Sequence, residues 1–158
     1  GLHRKLERLI DLTSDLDEAK LVRALQVLRS PVVQLEALGP DPLPWGASCV
    51  RSSWIDEDLA LYGTRSLPLG PILQVGSPRW LGAHYVHEGS ALGSRIVLQR
   101  LADAGLHSTY FQRLTERIAY WPSFLGYLAD VPPLQHDLVV EGACQHFDLL
   151  CQRASACQ

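Results

Sequence analysis

Several things are missing from this chain of 158 residues. Methionine is absent altogether, and no uninterrupted apolar run approaches the roughly 20 residues that a membrane-spanning helix needs. No basic segment leads into an apolar one near the start, which argues against a retained signal peptide. Neither sign of charge dominates. Lys and Arg total 14, Asp and Glu 17, and the net charge of −3 leaves no electrostatic footprint for nucleic acid or an anionic membrane. The four cysteines, Cys49, Cys144, Cys151 and Cys157, form no C-x-x-C pair. A chain of this length can bury a core without disulfide staples, so they read as reduced thiols of a cytoplasmic protein. Cys144 and Cys151 share one helix face, but their spacing matches no zinc site. Strand signals are weak, and there is no internal repeat and no low-complexity tract.

What the chain has is helical periodicity almost throughout. Leu2, Leu6, Leu9 and Ile10 mark a short opening helix. Ser14 with Asp17 resembles a capping box ahead of a second helix carrying Leu21, Val22, Leu25 and Leu28, in which Pro31 predicts a kink. The run "GPDPLPWG", Gly39 to Gly46, ends that helix. Ser53 is the expected cap of a third helix ending near Gly63. Ser77-Pro78 opens a long helix expected to reach about Ala104, with Gly105 as its stop. Ser108 caps the next, whose apolar face reads Phe111, Leu114, Ile118, Trp121, Leu125 and Leu128 until Pro132-Pro133 breaks it. A last helix carries Val139, Ala143, Phe147 and Leu150. The fold class is all-α: one multi-helical domain over residues 1–158.

The long helix contains "YVHEGSALG", Tyr85 to Gly93. Each glycine inside a helix costs about 1 kcal/mol relative to alanine. Gly82, Val86, Gly89, Gly93 and then Ile96 or Val97 nonetheless recur at helical steps along one stripe. A row without Cβ atoms serves tight packing against another helix, a kink, or the close approach of a flat ligand to bare backbone. A second feature is His3 in "HRKLE". It precedes Leu6 and Ile10 by three and seven positions, at the edge of an apolar stripe. A neutral imidazole there can ligate a metal; a histidine near a frayed end can equally be solvated. His84 and His87 lie three apart with no third ligand in register, and read as surface or supporting groups.

Together the two segments resemble the heme oxygenase family, in its bacterial, phytochrome-associated branch. His3-Arg4-Lys5-Leu6-Glu7 is similar to the family's H-x-x-L/A-E, and Tyr85 to Gly93 to its Y-V-x-E-G-S-x-L-G-G. The helical pattern around Trp121 and Phe124 and the closing "GACQHF" extend the similarity over nearly the whole chain. Two departures stand out: Gly93-Ser94-Arg95 replaces the usual G-G-Q, and Pro122 follows Trp121 where relatives often carry a basic residue.

The resemblance implies a heme oxygenase-like fold and activity. Heme is then both cofactor and substrate, cleaved at a meso carbon to biliverdin, carbon monoxide and ferrous iron. Dioxygen is consumed with electrons from an external reductant, such as a ferredoxin-type protein or a reductase. His3 becomes the proximal metal ligand, with Glu7 beside it. Tyr85, Val86, Gly89 and Gly93 become heme-binding positions, and Gly89, Ser90 and Gly93 the distal surface where oxygen is handled. Ser90 is either a mild donor that holds a water there or a helix-interior serine bonded back to a carbonyl, and Arg95 either meets a heme propionate or, the favoured reading, faces solvent. The alternative is a helical domain of the same fold that holds heme or a tetrapyrrole without turnover.

Overall fold

The computed structural model describes residues 4, 11–12, 15–40, 43–46, 50–70 and 78–156. Among them run seven α-helices: α1 (Glu18–Leu38), α2 (Arg51–Leu61), α3 (Arg79–Ser90), α4 (Ser94–Asp103), α5 (Thr109–Glu116), α6 (Trp121–Ala129) and α7 (His136–Ala156). No strand occurs among the described residues, as the weak strand signals predict. No described helix is long and apolar enough to cross a membrane.

Helix α1 is the centre of the assembly. Asp17, expected at its third position, is itself the cap and accepts the Lys20 N–H at 2.8 Å. Ser14 lies outside the described residues, as does the opening helix apart from Arg4. The helix runs through Pro31 uninterrupted, forgoing one backbone hydrogen bond. Leu21, Ala24, Leu25 and Val27 are all fully buried, because the segment is apolar on more than one side. It therefore serves three apolar clusters. Leu21 and Leu25 pack with Ile55, Leu59 and Leu114, Leu35 with Trp45, Trp80 and Phe124, and Val27 with Val86 and Leu150.

Helix α2 starts at Arg51, two residues before the expected cap. Ser53 donates its hydroxyl hydrogen to the Val50 carbonyl at 2.7 Å and does not cap. The helix stops as expected, with Gly63 at φ +65, a left-handed position that glycine takes without strain. Its buried Asp58 ties α2 to the start of α5. One carboxylate accepts the Ser108 hydroxyl at 2.6 Å and the Thr109 and Tyr110 N–H groups at 2.6 and 3.0 Å. Ser108 in turn accepts the Phe111 N–H, as its capping role predicts. Asp58→Ala leaves those donors buried and unpaired, and should cost about 3 kcal/mol in a urea melt. An unchanged midpoint would mean that water replaces the carboxylate.

The long helix expected from Ser77 to Ala104 divides into α3 and α4, joined end to end by a 3₁₀ turn at Ala91–Gly93. Ser77 lies outside the described residues. Two glycines weaken the α-helical ladder, while Ser90 and Ser94 bond back to the His87 and Ala91 carbonyls, each at 2.6 Å. Gly105, at φ +69, ends α4 as expected.

A second 3₁₀ turn, Arg117–Tyr120, joins α5 to α6 and corrects the expected apolar face. A 3₁₀ turn advances each residue further round the axis than an α-helix does, so the register shifts. Phe111 and Leu114 are buried as read, but Phe124 is the fully buried residue of α6 and Leu125 is 42% exposed. Pro132 and Pro133 end α6 and begin the 3₁₀ turn that leads into α7.

Candidate functional site

The glycine stripe serves two different ends. A Cβ on Gly82 would collide with the Val139 carbonyl oxygen and stand 2.5 Å from the Ala143 nitrogen, all backbone of α7. One on Gly142 would collide with the Arg79 carbonyl. The two glycines thus interlock α3 and α7 at backbone contact. Further along, the stripe opens. A Cβ on Gly89 would stand 3.7 Å from the Trp121 ring, and one on Gly93 would meet nothing within 4 Å. Around this bare stretch stand Tyr85, 44% exposed, Leu92, 48%, and Ile96, 59%. Tyr85 lies 5.6 Å from the Trp121 ring, centroid to centroid. The outcome is a side-chain-poor floor with an apolar rim.

Ser94 and Arg95 leave that floor clear. Ser94 is buried, its hydroxyl turned to the Ala91 carbonyl, and Arg95 is exposed as expected. Ser90 is exposed, but its hydrogen is committed to the His87 carbonyl, so only its oxygen lone pairs face outward. Of the two uses read for Ser90, this is the hydroxyl bonded back to a helix carbonyl. Val86, expected to touch the ligand, is 8% exposed and packs among Val27, Leu150 and Ala154. It turns inward because it falls on the flank of α3 that faces α1 and α7. His3 and Glu7 lie outside the described residues. Arg4 is helical and exposed.

Behind the bare stretch sits a buried polar cluster. Glu88, 1% exposed, receives Arg51 and Arg117 on one carboxylate oxygen, each at 3.0 Å, with the Trp45 indole N–H at 3.3 Å. These partners come from α2, the Arg117–Tyr120 turn and the loop before α2, so a single carboxylate pins α3 immediately before Gly89. His87 faces His146 of α7, Nε2 to Nε2 at 2.6 Å, both buried. Burial, reinforced by the charges of His146, Arg51 and His84, pushes the His87 pKa well below its usual value. Burial pulls His146 down to about 4. His84 falls to about 2, through burial first and then the charges of Arg51, His146 and Arg117. All three imidazoles are therefore neutral at pH 7.

His84 and His87, read from sequence as surface or supporting groups, are core residues. One signal for this was present. Besides its two histidines, the twelve residues of α3 carry only Glu88 and Arg79 as charged side chains, too few for a solvated face. Nothing in the sequence paired Glu88 with Arg51 and Arg117.

A cavity of about 160 Å³ adjoins this cluster, lined on its apolar side by Val32, Leu35, Leu43 and Val50 and on its polar side by His84 and Glu88. Among the described residues no group of three His, Cys, Asp or Glu side chains is placed to hold a metal ion. Cys144 is exposed and Cys151 buried, and Cys49 and Cys157 lie outside the described residues. No protein-family model matches the chain, and no curated protein does.

Proposed function

We propose that this protein is a heme oxygenase. The observation that carries the reading is the bare backbone at Gly93, exposed and open, and at Gly89, half-buried beside the Trp121 ring, with Tyr85, Leu92 and Ile96 around them. Its chemistry suits a flat apolar macrocycle. A Cβ at Gly93 would occupy open space, so a ring can reach the backbone there, and large apolar groups stand ready to cover its faces. His3, carried by a segment that resembles the family's proximal motif, would be the residue that holds the iron in this reading.

Bound heme supplies the oxygen-activating iron and is itself the molecule consumed. The chain's residues supply placement. Gly89 and Gly93 would let the ring approach the backbone, and Leu92 and Ile96 would shield it from bulk water. Glu88, held by Arg51, Arg117 and Trp45, fixes the rotation and depth of α3 just before the first of those glycines. The Ser90 oxygen, whose hydrogen is already bonded, can accept from a water at the rim but adds no strong acid. Electrons come from an external donor, a ferredoxin-type protein or a reductase.

That mild distal surface also suits the second reading, a domain that holds a tetrapyrrole without turnover. One experiment separates the two. Hemin is added to the protein, followed by a reductant under air. The proposal expects the Soret band of a histidine-ligated heme, then its loss as biliverdin absorption rises. A Soret band that survives reductant and air leaves the binding-only reading. Absence of the band ends both.

A further inference from the structure

We propose that the cavity between α1, α2 and α3 is a binding site for a small uncharged aromatic ring carrying an O–H or N–H donor, of the size and polarity of phenol. Neither Gly89 nor Gly93 lines this cavity, which shares only the positioning residue Glu88 with the heme reading, so the proposal does not depend on heme binding.

Three observations define the ligand. The first is size. The volume of about 160 Å³ matches that of an engineered protein cavity of roughly 150 Å³ that takes up benzene. The second is a set of buried polar atoms without partners. His84 is 6% exposed, and neither of its ring nitrogens has a hydrogen-bond partner. The second oxygen of Glu88 is likewise unpaired, its first being the one that takes Arg51, Arg117 and Trp45. Orphaned polar groups at such depth are costly, and each calls for a partner. The His84 ring is held in place by Trp45 and Trp80, whose rings lie 4.9 and 4.2 Å from it.

The third observation is charge. Among the described residues two carboxylates, Glu36 and Glu88, line the site. Glu88 is matched by Arg51 and Arg117, and Glu36 is held by the Ser52 N–H and hydroxyl at 3.1 and 2.5 Å. Among the described residues these two acidic and two basic groups balance, so neither an anion nor a cation is favoured. The unpaired Glu88 oxygen only accepts, and a neutral imidazole offers one acceptor nitrogen and one donor. The complement is a ligand that donates, with its ring against Val32, Leu35, Leu43 and Val50.

The test compares phenol with benzene, equal in ring size but differing in the donor. Each is titrated into the full chain by calorimetry, and the His84 imidazole nitrogens are followed by NMR. We expect phenol to saturate the protein and to bind about ten-fold more tightly than benzene, the worth of one buried hydrogen bond. The His84 nitrogen resonances should move with the same saturation curve. His84→Phe, checked for retained helix content, should remove the preference. The wild-type NMR result decides the matter if that variant does not fold. Equal affinity for the two probes, phenol binding that leaves His84 unmoved, or no phenol binding would each overturn the proposal.

Discussion

Gly82→Ala is expected to destabilise the protein by about 3 kcal/mol or more, a large share of the roughly 5–15 kcal/mol that holds such a domain together. The new methyl group would run into the Val139 carbonyl oxygen and the backbone around Gly142 and Ala143. These atoms belong to the main chain of α7 and cannot rotate away. Relief requires α3 and α7 to separate, which also pulls His87 from His146 and loosens Val86 from Leu150. Gly93→Ala, eleven positions along the same stripe, is the matched control. Nothing lies within 4 Å of its Cβ, and its backbone at φ −87 suits alanine. It should be neutral or gain up to about 1 kcal/mol from better helix propensity. Urea midpoints of the two variants check the contrast. Equal effects would show that the stripe is one packing seam.

Acid should unfold this protein early. Histidines titrate near pH 6.5 in an unfolded chain, whereas burial holds His84 at about 2 and His146 at about 4 in the folded one. The unfolded state then binds more protons below pH 6.5, so stability is intact above that value and falls as pH drops through 6.5 towards 4. For His84 the loss continues to about 2. At pH 5 each of these two histidines has removed about 2 kcal/mol. His87, lowered for the same reason, adds to the loss. Arg51 and Arg117 beside the cluster oppose any added positive charge, while Glu88 already serves both. Asp56, held low mainly by its hydrogen bond to Arg29, weakens the fold only as pH falls into the ordinary carboxylate range near 3.8 and on below it, so the window from pH 6.5 to 5 belongs to the histidines. Urea unfolding at pH 7 and pH 5 measures the difference directly. Equal midpoints would mean that the imidazoles are not held neutral in the folded state.

Features that depend on a few neighbouring residues were legible in the sequence. Ser108 caps α5, Gly63 and Gly105 end their helices, and Pro132-Pro133 separates α6 from α7, because caps and breakers act within one turn of chain. The face of α6 was not legible, because the 3₁₀ turn at Arg117–Tyr120 shifts its phase by an amount that apolar spacing does not encode. The glycine stripe was visible but its use was undecided. Packing at Gly82 and openness at Gly93 depend on where α7 lies, and α7 begins more than forty residues after Gly93. The buried Glu88 cluster was hidden for the same reason. Its arginines stand 37 residues before it and 29 after it, and each alone reads as a solvated charge.

The most direct test of the central claim is a hemin titration of the wild-type chain and of Gly93→Leu, followed at the Soret band beside a thermal melt of each. The wild type should take up hemin to saturation with a histidine-ligated spectrum. Gly93→Leu should keep or slightly raise its melting temperature, because the position is open and leucine favours helix. It should lose hemin affinity by about 30-fold or more, since a leucine would fill the space the macrocycle needs. A Gly93→Leu variant that binds hemin as tightly as the wild type would contradict the account.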